Sequence, residues 1–188
     1  MDRAPLPFIS DAETIEHIQG NIFAAVDENT SELFFFTVTK DMHISFRNKI
    51  QLEKFNKKNR GFEGLAWKAD DRMLFVAKER RPSKIFIYQL SPDLLSVKQA
   101  TIPEELNDIR INDISGLAFN NESLMILSDE SRNLLKFNLT EMSFIEMTKG
   151  NHSLTSDLPQ PEGIVTLSDE SIYVASEPDI LAKFVPNK

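Results

Sequence analysis

Acidic residues recur at fixed spacing along this chain, and their carboxylates are the candidate functional groups of the protein. Four short apolar runs end in a glutamate, at Glu28, Glu79, Glu130 and Glu177, and these glutamates are separated by 51, 51 and 47 residues. A second motif lies 15 or 16 residues upstream of each glutamate, at Glu13, Glu63, Ser115 and Glu162. Two motifs that keep one offset through four copies indicate an internal repeat of about 50 residues.

Seven of these eight motif positions carry a carboxylate, and Ser115 is the exception. Asp113 lies two residues before Ser115, and side chains two apart on a strand point to the same side of a sheet. We therefore expect Asp113 to replace the missing glutamate. By the same reasoning Asp11 supplements Glu13.

Short β-strands are the elements that must position these carboxylates. Each repeat contains apolar runs rich in Val, Ile, Leu and Phe, bounded by Asn, Asp and Ser clusters that are typical of turns. Three or four such strands in about 50 residues predict one blade of an all-β propeller. A β-sandwich would explain the strands but not the repeated offset. The predicted repeats lie at about 11–58, 59–110, 111–158 and 159–188 of one domain, 1–188.

Consecutive strands of a blade are antiparallel, so the start of the first strand and the end of the second lie at the same end of the sheet. The motif carboxylates are therefore predicted to meet at one rim of the central channel. Those at strand starts are the candidate metal ligands: Glu13, Glu63, Asp113 and Glu162. The other rim carboxylates, either structural or ligand-binding, are Asp11, Glu28, Glu79, Glu130 and Glu177.

Two interpretations of the rim remain open. Converging carboxylates repel one another unless a cation compensates them, and calcium takes six to eight oxygen ligands of this kind. Alternatively, the carboxylates accept backbone N–H groups or form ion pairs with Lys78, Arg80 and Arg132, which lie beside them in sequence.

The fourth repeat contains runs for three strands, whereas the first contains runs for four. A blade without its outer strand leaves an unpaired edge, which is an aggregation hazard. We therefore expect the chain to be an incomplete part of a five- or six-bladed ring, with a closed ring of four blades as the alternative.

Composition excludes several classes of protein. The chain has 188 residues with a net charge of −8, which argues against a general nucleic-acid binder. The absence of cysteine excludes disulfides, thiol catalysis and cysteine–zinc sites. The sequence has no apolar run near the length of a bilayer span and no signal-peptide pattern.

A set of short motifs carries a resemblance to a known family. The motifs are Asp11-Ala-Glu13, Arg60-Gly-Phe-Glu-Gly-Leu-Ala66, Lys78-Glu-Arg80 with Pro82, Ser115-Gly-Leu117, Leu127-Ser-Asp-Glu-Ser-Arg132, Pro161-Glu-Gly-Ile164 and Ser176-Glu-Pro178. Together they resemble the SdiA-regulated (YjiK-like) β-propeller family of bacteria. The resemblance implies a cell-envelope location, periplasmic or associated with the plasma membrane, with any membrane contact made through a segment that this sequence lacks. It also implies calcium binding as seen in related propellers. It implies no catalytic residues, and the family usually has a further repeat upstream that this sequence lacks.

The favoured function is a non-enzymatic binding or scaffold role, in which the acidic rim holds calcium, a protein partner or a small-molecule ligand. The alternative is a calcium-dependent hydrolase similar to lactonases and phosphotriesterases, whose propellers use calcium at the channel mouth. The sequence places no histidine or other clear base beside the rim carboxylates, which weighs against the alternative.

Overall fold

The computed structural model describes residues 3–53, 61–80, 82–148, 154 and 158–185. These residues form four antiparallel sheets that follow one another along the chain, and each sheet is one blade. The predicted all-β propeller with four blades is confirmed. Within the described part of the chain, no helix has the length and apolar character needed to cross a bilayer.

Blades 1 to 3 each contain four strands that pair in sequence order. Blade 1 is built from β1 (Ala12–Gln19), β2 (Ile22–Asp27), β3 (Glu32–Val38) and β4 (Ile44–Gln51). Blade 2 is built from β5 (Phe62–Lys68), β6 (Met73–Lys78), β7 (Lys84–Leu90) and β8 (Val97–Gln99). Blade 3 is built from β9 (Gly116–Asn120), β10 (Ser123–Ser128), β11 (Asn133–Asn138) and β12 (Ser143–Glu146).

Blade 4 has three strands among the described residues, in agreement with the three apolar runs of its repeat. They are β13 (Gln160–Thr166), β14 (Ile172–Glu177) and β15 (Ile180–Phe184). A single helical turn, α1 (Glu104–Asn107), lies between blades 2 and 3 and buries Leu106.

Three apolar cores hold consecutive blades together. The first strands of neighbouring blades contact each other, β1 with β5, β5 with β9, and β9 with β13. Phe35 of blade 1 packs with Leu65 and Phe86 of blade 2, and all three are nearly inaccessible to solvent. Burial of one such side chain contributes about 1.5 to 3 kcal/mol, so face-to-face packing of blades provides most of the stabilisation.

The segment before β1 covers part of the face of blade 1 that is turned away from blade 2. The ring of Phe8 lies 6.0 Å from Phe34, 5.8 Å from Phe36 and 5.4 Å from Phe46, measured between ring centroids. The backbone N–H and the hydroxyl of Ser10 both donate to Asp27 at 2.7 Å. These contacts fix the segment against the sheet.

The turns within the blades share one backbone conformation. Eight non-glycine residues have φ between 50° and 65°, and each lies in a connection between consecutive strands of one blade. They are Ser31, Met42, Arg72, Leu94, Asn121, Arg132, Met142 and Glu170. Left-handed turns of this kind match the twist of the strands that they join.

Candidate functional site

The candidate site is at the end of the blades where first strands begin and second strands end. Ala12 pairs with Asp27, Phe62 with Lys78, and Gln160 with Glu177, so both motifs of each of these blades lie at one edge of the sheet. The antiparallel geometry that the motif spacing predicts is therefore present in the structure.

Three motif glutamates occupy β-bulges. The strand register shifts between Ala12 and Thr14, between Phe62 and Gly64, and between Pro161 and Gly163. The residue without a cross-strand partner at these shifts is Glu13, Glu63 or Glu162. Because a bulge releases one residue from the sheet alternation and redirects its side chain, these three carboxylates are free to turn towards the channel.

A cleft of about 480 Å³ is lined by first-strand residues of all four blades, and all three bulged glutamates line it. The structure thus brings together three of the four predicted metal ligands, Glu13, Glu63 and Glu162. Their carboxylates face a space bordered by apolar residues of the four blades, including Ile15, Leu65, Leu117 and Val165.

A tighter cluster forms at the blade 1 side of this cleft. Asp11, Glu13 and Glu28 each offer one carboxylate oxygen, and these oxygens all lie within 4.8 Å of one another. Asn29 donates to Asp11 at 3.0 Å, and the N–H of Gly61 donates to Glu28 at 3.2 Å. A side chain on residue 61 would place its Cβ 2.2 Å from Cγ of Glu28, so glycine is required for this approach.

Burial and mutual repulsion shift the pKa values of these carboxyls upward. The pKa of Glu63 rises to about 7 because of burial and the charges of Glu13, Glu28 and Glu162, although Arg80 lowers it. Burial and neighbouring Asp11 and Glu28 also raise the pKa of Glu13. Burial and the charge of Glu177 raise the pKa of Glu162. We call this region the acidic half of the rim: Asp11, Glu13, Glu28, Glu63, Glu162 and Glu177.

The rest of the rim, at blades 2 and 3, is compensated by cations and hydrogen bonds. Glu79 is only 4% exposed and forms an ion pair with Arg80, which also reaches Glu130 at 3.2 Å across the two blades. Arg132 lies 3.6 Å from Asp129. We call this region the paired half: Glu79, Arg80, Asp113, Asp129, Glu130 and Arg132.

Asp113 does not join the other three predicted metal ligands. Its carboxylate is 3% exposed and accepts hydrogen bonds from the Ser128 hydroxyl and from the N–H groups of Asp129 and Glu130, both at 3.1 Å. The physical reason is local, because Asp113 precedes β9 and the turn after β10 supplies the donors that hold its carboxylate. Ser115 likewise serves packing and donates to the carbonyl oxygen of Pro161 at 2.7 Å.

The predictions from sequence did not include Glu16, which also lines the cleft. Burial raises its pKa to about 8, and the backbone of Trp67 lowers it by less. Glu16 lies three residues after the first motif of its repeat, and the residues at that position in the other repeats are Ala66, Ala118 and Val165. An acidic residue at a position that is apolar in three other repeats was the available signal.

A sequence model of the SdiA-regulated family matches residues 1–185, which is nearly the whole chain. The match agrees with the resemblance carried by the short motifs.

Several solved structures are similar in fold. The WD40 repeats of RRP9 are 14% identical with a TM-score of 0.54, covering 93% of this chain and 51% of that chain. U3-55K is 14% identical with a TM-score of 0.50, covering 95% of this chain and 57% of that one. A protein of unknown function from Bacteroides thetaiotaomicron is 13% identical with a TM-score of 0.60, and the match covers 95% of this chain and 42% of that chain. The chain spans about half the length of these proteins, and at such identity the similarity shows the fold alone.

Proposed function

The chain belongs to the SdiA-regulated family, and from that premise we propose that it is a non-enzymatic binding propeller whose acidic half holds a calcium ion. The observation that carries the proposal is the cluster of Asp11, Glu13 and Glu28, whose carboxylate oxygens lie within 4.8 Å of one another. A cation between them would offset the burial and the like-charge repulsion that together raise the pKa of Glu13 and Glu63.

Calcium suits this geometry better than magnesium does. The cluster offers three carboxylates from different parts of blade 1, and one of them already accepts a hydrogen bond from blade 2. Calcium accepts six to eight oxygen ligands in flexible arrangements, whereas magnesium requires a near-ideal octahedron and retains several waters. Backbone carbonyls and water would complete the calcium shell.

The test is a thermal melt of the protein with and without calcium. A ligand that binds only the folded state at 100 times its Kd stabilises it by about 2.7 kcal/mol, which raises the Tm of a domain this size by several degrees. We expect calcium chloride at 10 mM to give such a shift, and magnesium chloride to give a smaller one. The double variant Glu13→Gln with Glu28→Gln should lose the calcium shift.

The matched control is Glu104→Gln with Glu105→Gln, which removes the same two charges from the exposed first turn of α1. This control should keep the full calcium shift. A Tm that calcium leaves unchanged in the parent protein, or an equal loss in both double variants, would contradict the proposal.

One observation favours the hydrolase alternative. Glu63 lines the cleft with a pKa raised to about 7, which is the range in which a carboxyl can act as a general acid or base. Against this, none of the described residues that line the cleft is a histidine. Hydrolysis of lactones or aryl phosphates that requires calcium and is lost in Glu63→Gln would replace the non-enzymatic proposal.

The proposed location is the bacterial cell envelope, and the partner is a protein or small molecule at the channel rim. This part rests on the family resemblance and on the exposed acidic half, not on nucleic-acid chemistry, because the net charge is −8. Fractionation of cells that express the native gene tests the location. Recovery of the protein from the cytoplasmic fraction would overturn it.

A further inference from the structure

The outer strand of blade 3 leaves one edge open to a further strand. β12 (Ser143–Glu146) pairs with β11 on one side, and no strand of the described residues pairs with its other side. The N–H of Met147 donates to the carbonyl oxygen of Leu134 at 2.8 Å, and hydrogen-bonded residue pairs alternate along an antiparallel ladder. The backbone N–H and C=O groups of Phe144 and Glu146 therefore point away from β11.

Blades 1 and 2 protect the corresponding edges, whereas blade 3 does not. β4 carries Arg47 and Lys49, and its pairing with β3 contains a register shift. β8 has only three residues and includes Lys98. Basic side chains, bulges and very short strands are the means by which proteins keep an edge strand from pairing with another chain. β12 has the sequence Ser-Phe-Ile-Glu, which contains no basic residue.

A groove of about 570 Å³ lies beside the open edge, because Phe144 and Glu146 of β12 both line it. Its apolar lining consists of Phe144 and Leu135 from blade 3 and Ile109 from the connection between blades 2 and 3. The ring of Phe144 lies 4.7 Å from that of Phe137, measured between centroids, and remains 36% exposed. A strand added to β12 would turn every second side chain towards this groove.

The charge of the groove determines what such a strand must carry. The charged residues of the lining are Glu105, Asp108, Arg110 and Glu146. Arg110 lies 3.5 Å from Asp108, but within the described ranges neither Glu105 nor Glu146 has a basic partner. Glu146 accepts a hydrogen bond from the neutral amide of Asn133 at 3.1 Å. An occupant therefore needs positive charge next to its apolar side chain.

We propose that β12 and this groove bind an extended segment of a partner protein by strand addition, and that the segment carries basic residues on either side of an apolar one. The apolar side chain would cover Phe144 and Leu135, and a lysine or arginine would lie against Glu146. In strand addition, main-chain hydrogen bonds supply affinity and pockets for alternate side chains supply specificity.

This surface is separate from the acidic half of the rim. β12 is at the opposite end of its sheet from β9, whose residues line the cleft. Blade 3 has four strands and lies between two other blades, so the open edge belongs to a whole blade and not to a blade-packing face.

The test is fluorescence anisotropy with the peptide Thr-Lys-Thr-Val-Thr-Lys-Thr, labelled at its N-terminus and amidated at its C-terminus. As a strand, this peptide presents its valine and both lysines on one side. We expect saturable binding, and a peptide with glutamate in place of both lysines should bind at least about tenfold more weakly. N-methylation of the valine removes an N–H that would donate to β12 and should weaken binding about tenfold.

Two variants of the protein test the surface itself. Glu146→Lys reverses a charge at the edge and should weaken peptide binding at least about tenfold. Its matched control is Glu122→Lys, at an exposed position outside the groove, which should leave binding within about twofold. Phe144→Thr should weaken binding about fivefold through lost apolar contact. Its control is Phe46→Thr, since Phe46 is 48% exposed in β4 and does not line the groove.

The proposal is overturned if the peptide does not bind saturably, if the N-methylated peptide binds as tightly as the parent peptide, or if Glu146→Lys and Glu122→Lys behave alike. Sedimentation that shows self-association abolished by Glu146→Lys would also overturn it, because a second copy of the chain would then be the occupant. Failure here is distinct from failure of the calcium proposal, since Glu13→Gln with Glu28→Gln should bind the peptide as the parent protein does.

Discussion

The two halves of the rim start from the same repeated motifs and differ in the number of cations and N–H donors that reach their carboxylates. In the paired half, Arg80 connects Glu79 to Glu130, and backbone N–H groups surround Asp113. In the acidic half, burial and then the like charges around them raise the pKa values of Glu13 and Glu63. A repeated carboxylate is therefore structural where the neighbouring chain supplies its partner, and available to a ligand where it does not.

The largest expected effect comes from breaking the paired half at Arg80. Arg80→Met would leave Glu79, which is 4% exposed, without its cation. Removal of one partner of a fully buried ion pair costs about 3 kcal/mol, and this is the upper value here because the Arg80 side chain is 38% exposed. Urea unfolding measures the loss, and adding Glu79→Gln should restore part of it.

The control for Arg80 is Arg110→Met, since Arg110 pairs with Asp108 at 3.5 Å and both side chains are at least 80% exposed. This change should alter the free energy of unfolding by less than about 0.5 kcal/mol. Equal losses in the two variants would mean that the paired half is not specially stabilised.

The next largest effect is expected at Asp113. Asp113→Ala would leave the Ser128 hydroxyl and the N–H groups of Asp129 and Glu130 without their acceptor. Leaving buried donors unsatisfied should cost about 2 to 3 kcal/mol in the free energy of unfolding. Asp108→Ala, at an exposed position, is the control and should be nearly neutral. If calcium stabilised the parent protein but not Asp113→Ala, Asp113 would be a metal ligand after all.

Neutralising Glu16 should stabilise the protein, whereas the changes at Arg80 and Asp113 should destabilise it. Its pKa is about 8 in the folded protein and near 4.5 when unfolded, so the folded state binds more protons between these values. Stability therefore falls as the pH rises from 4.5 to 8. Glu16→Gln removes this fall and should stabilise the protein by about 1.5 kcal/mol at pH 9. Urea unfolding at pH 5 and pH 9 tests it, and an equal change at both values contradicts it.

The smallest effect is expected at Glu63, which is more accessible than Glu16. Because its pKa is about 7 in the folded protein, stability falls as the pH rises, as it does for Glu16, but over the narrower range from pH 4.5 to 7. Glu63→Gln should stabilise the calcium-free protein by about 1 kcal/mol at pH 8 and have little effect at pH 4.5. A destabilised variant at pH 8 would show that Glu63 is not held among like charges.

The sequence alone predicted the blades and the shared rim well, because both follow from periodicity. Fixed spacing between Glu13 and Glu28, and between Glu63 and Glu79, requires two antiparallel strands of constant length in each repeat. That spacing also locates the glutamates at one end of the sheet, as the pairing of β1 with β2 and β5 with β6 shows.

The difference between the two halves was harder to predict, because it depends on strand register and neighbouring side chains. Glu28 and Glu79 occupy the same motif position, but Asn29 follows the first and Arg80 follows the second. Asp113 was predicted to join the metal ligands from strand alternation, which does not specify which blades contain a bulge. Glu16 could have been found by comparing the repeats position by position.

The left-handed turns inside the blades leave room for a more stable protein. Eight non-glycine residues adopt positive φ there, although glycine takes this conformation without a steric penalty. Exposed members such as Asn121 and Glu170 take no part in either half of the rim. Substituting glycine at those two turns should therefore stabilise the folded protein without changing any carboxylate of the rim.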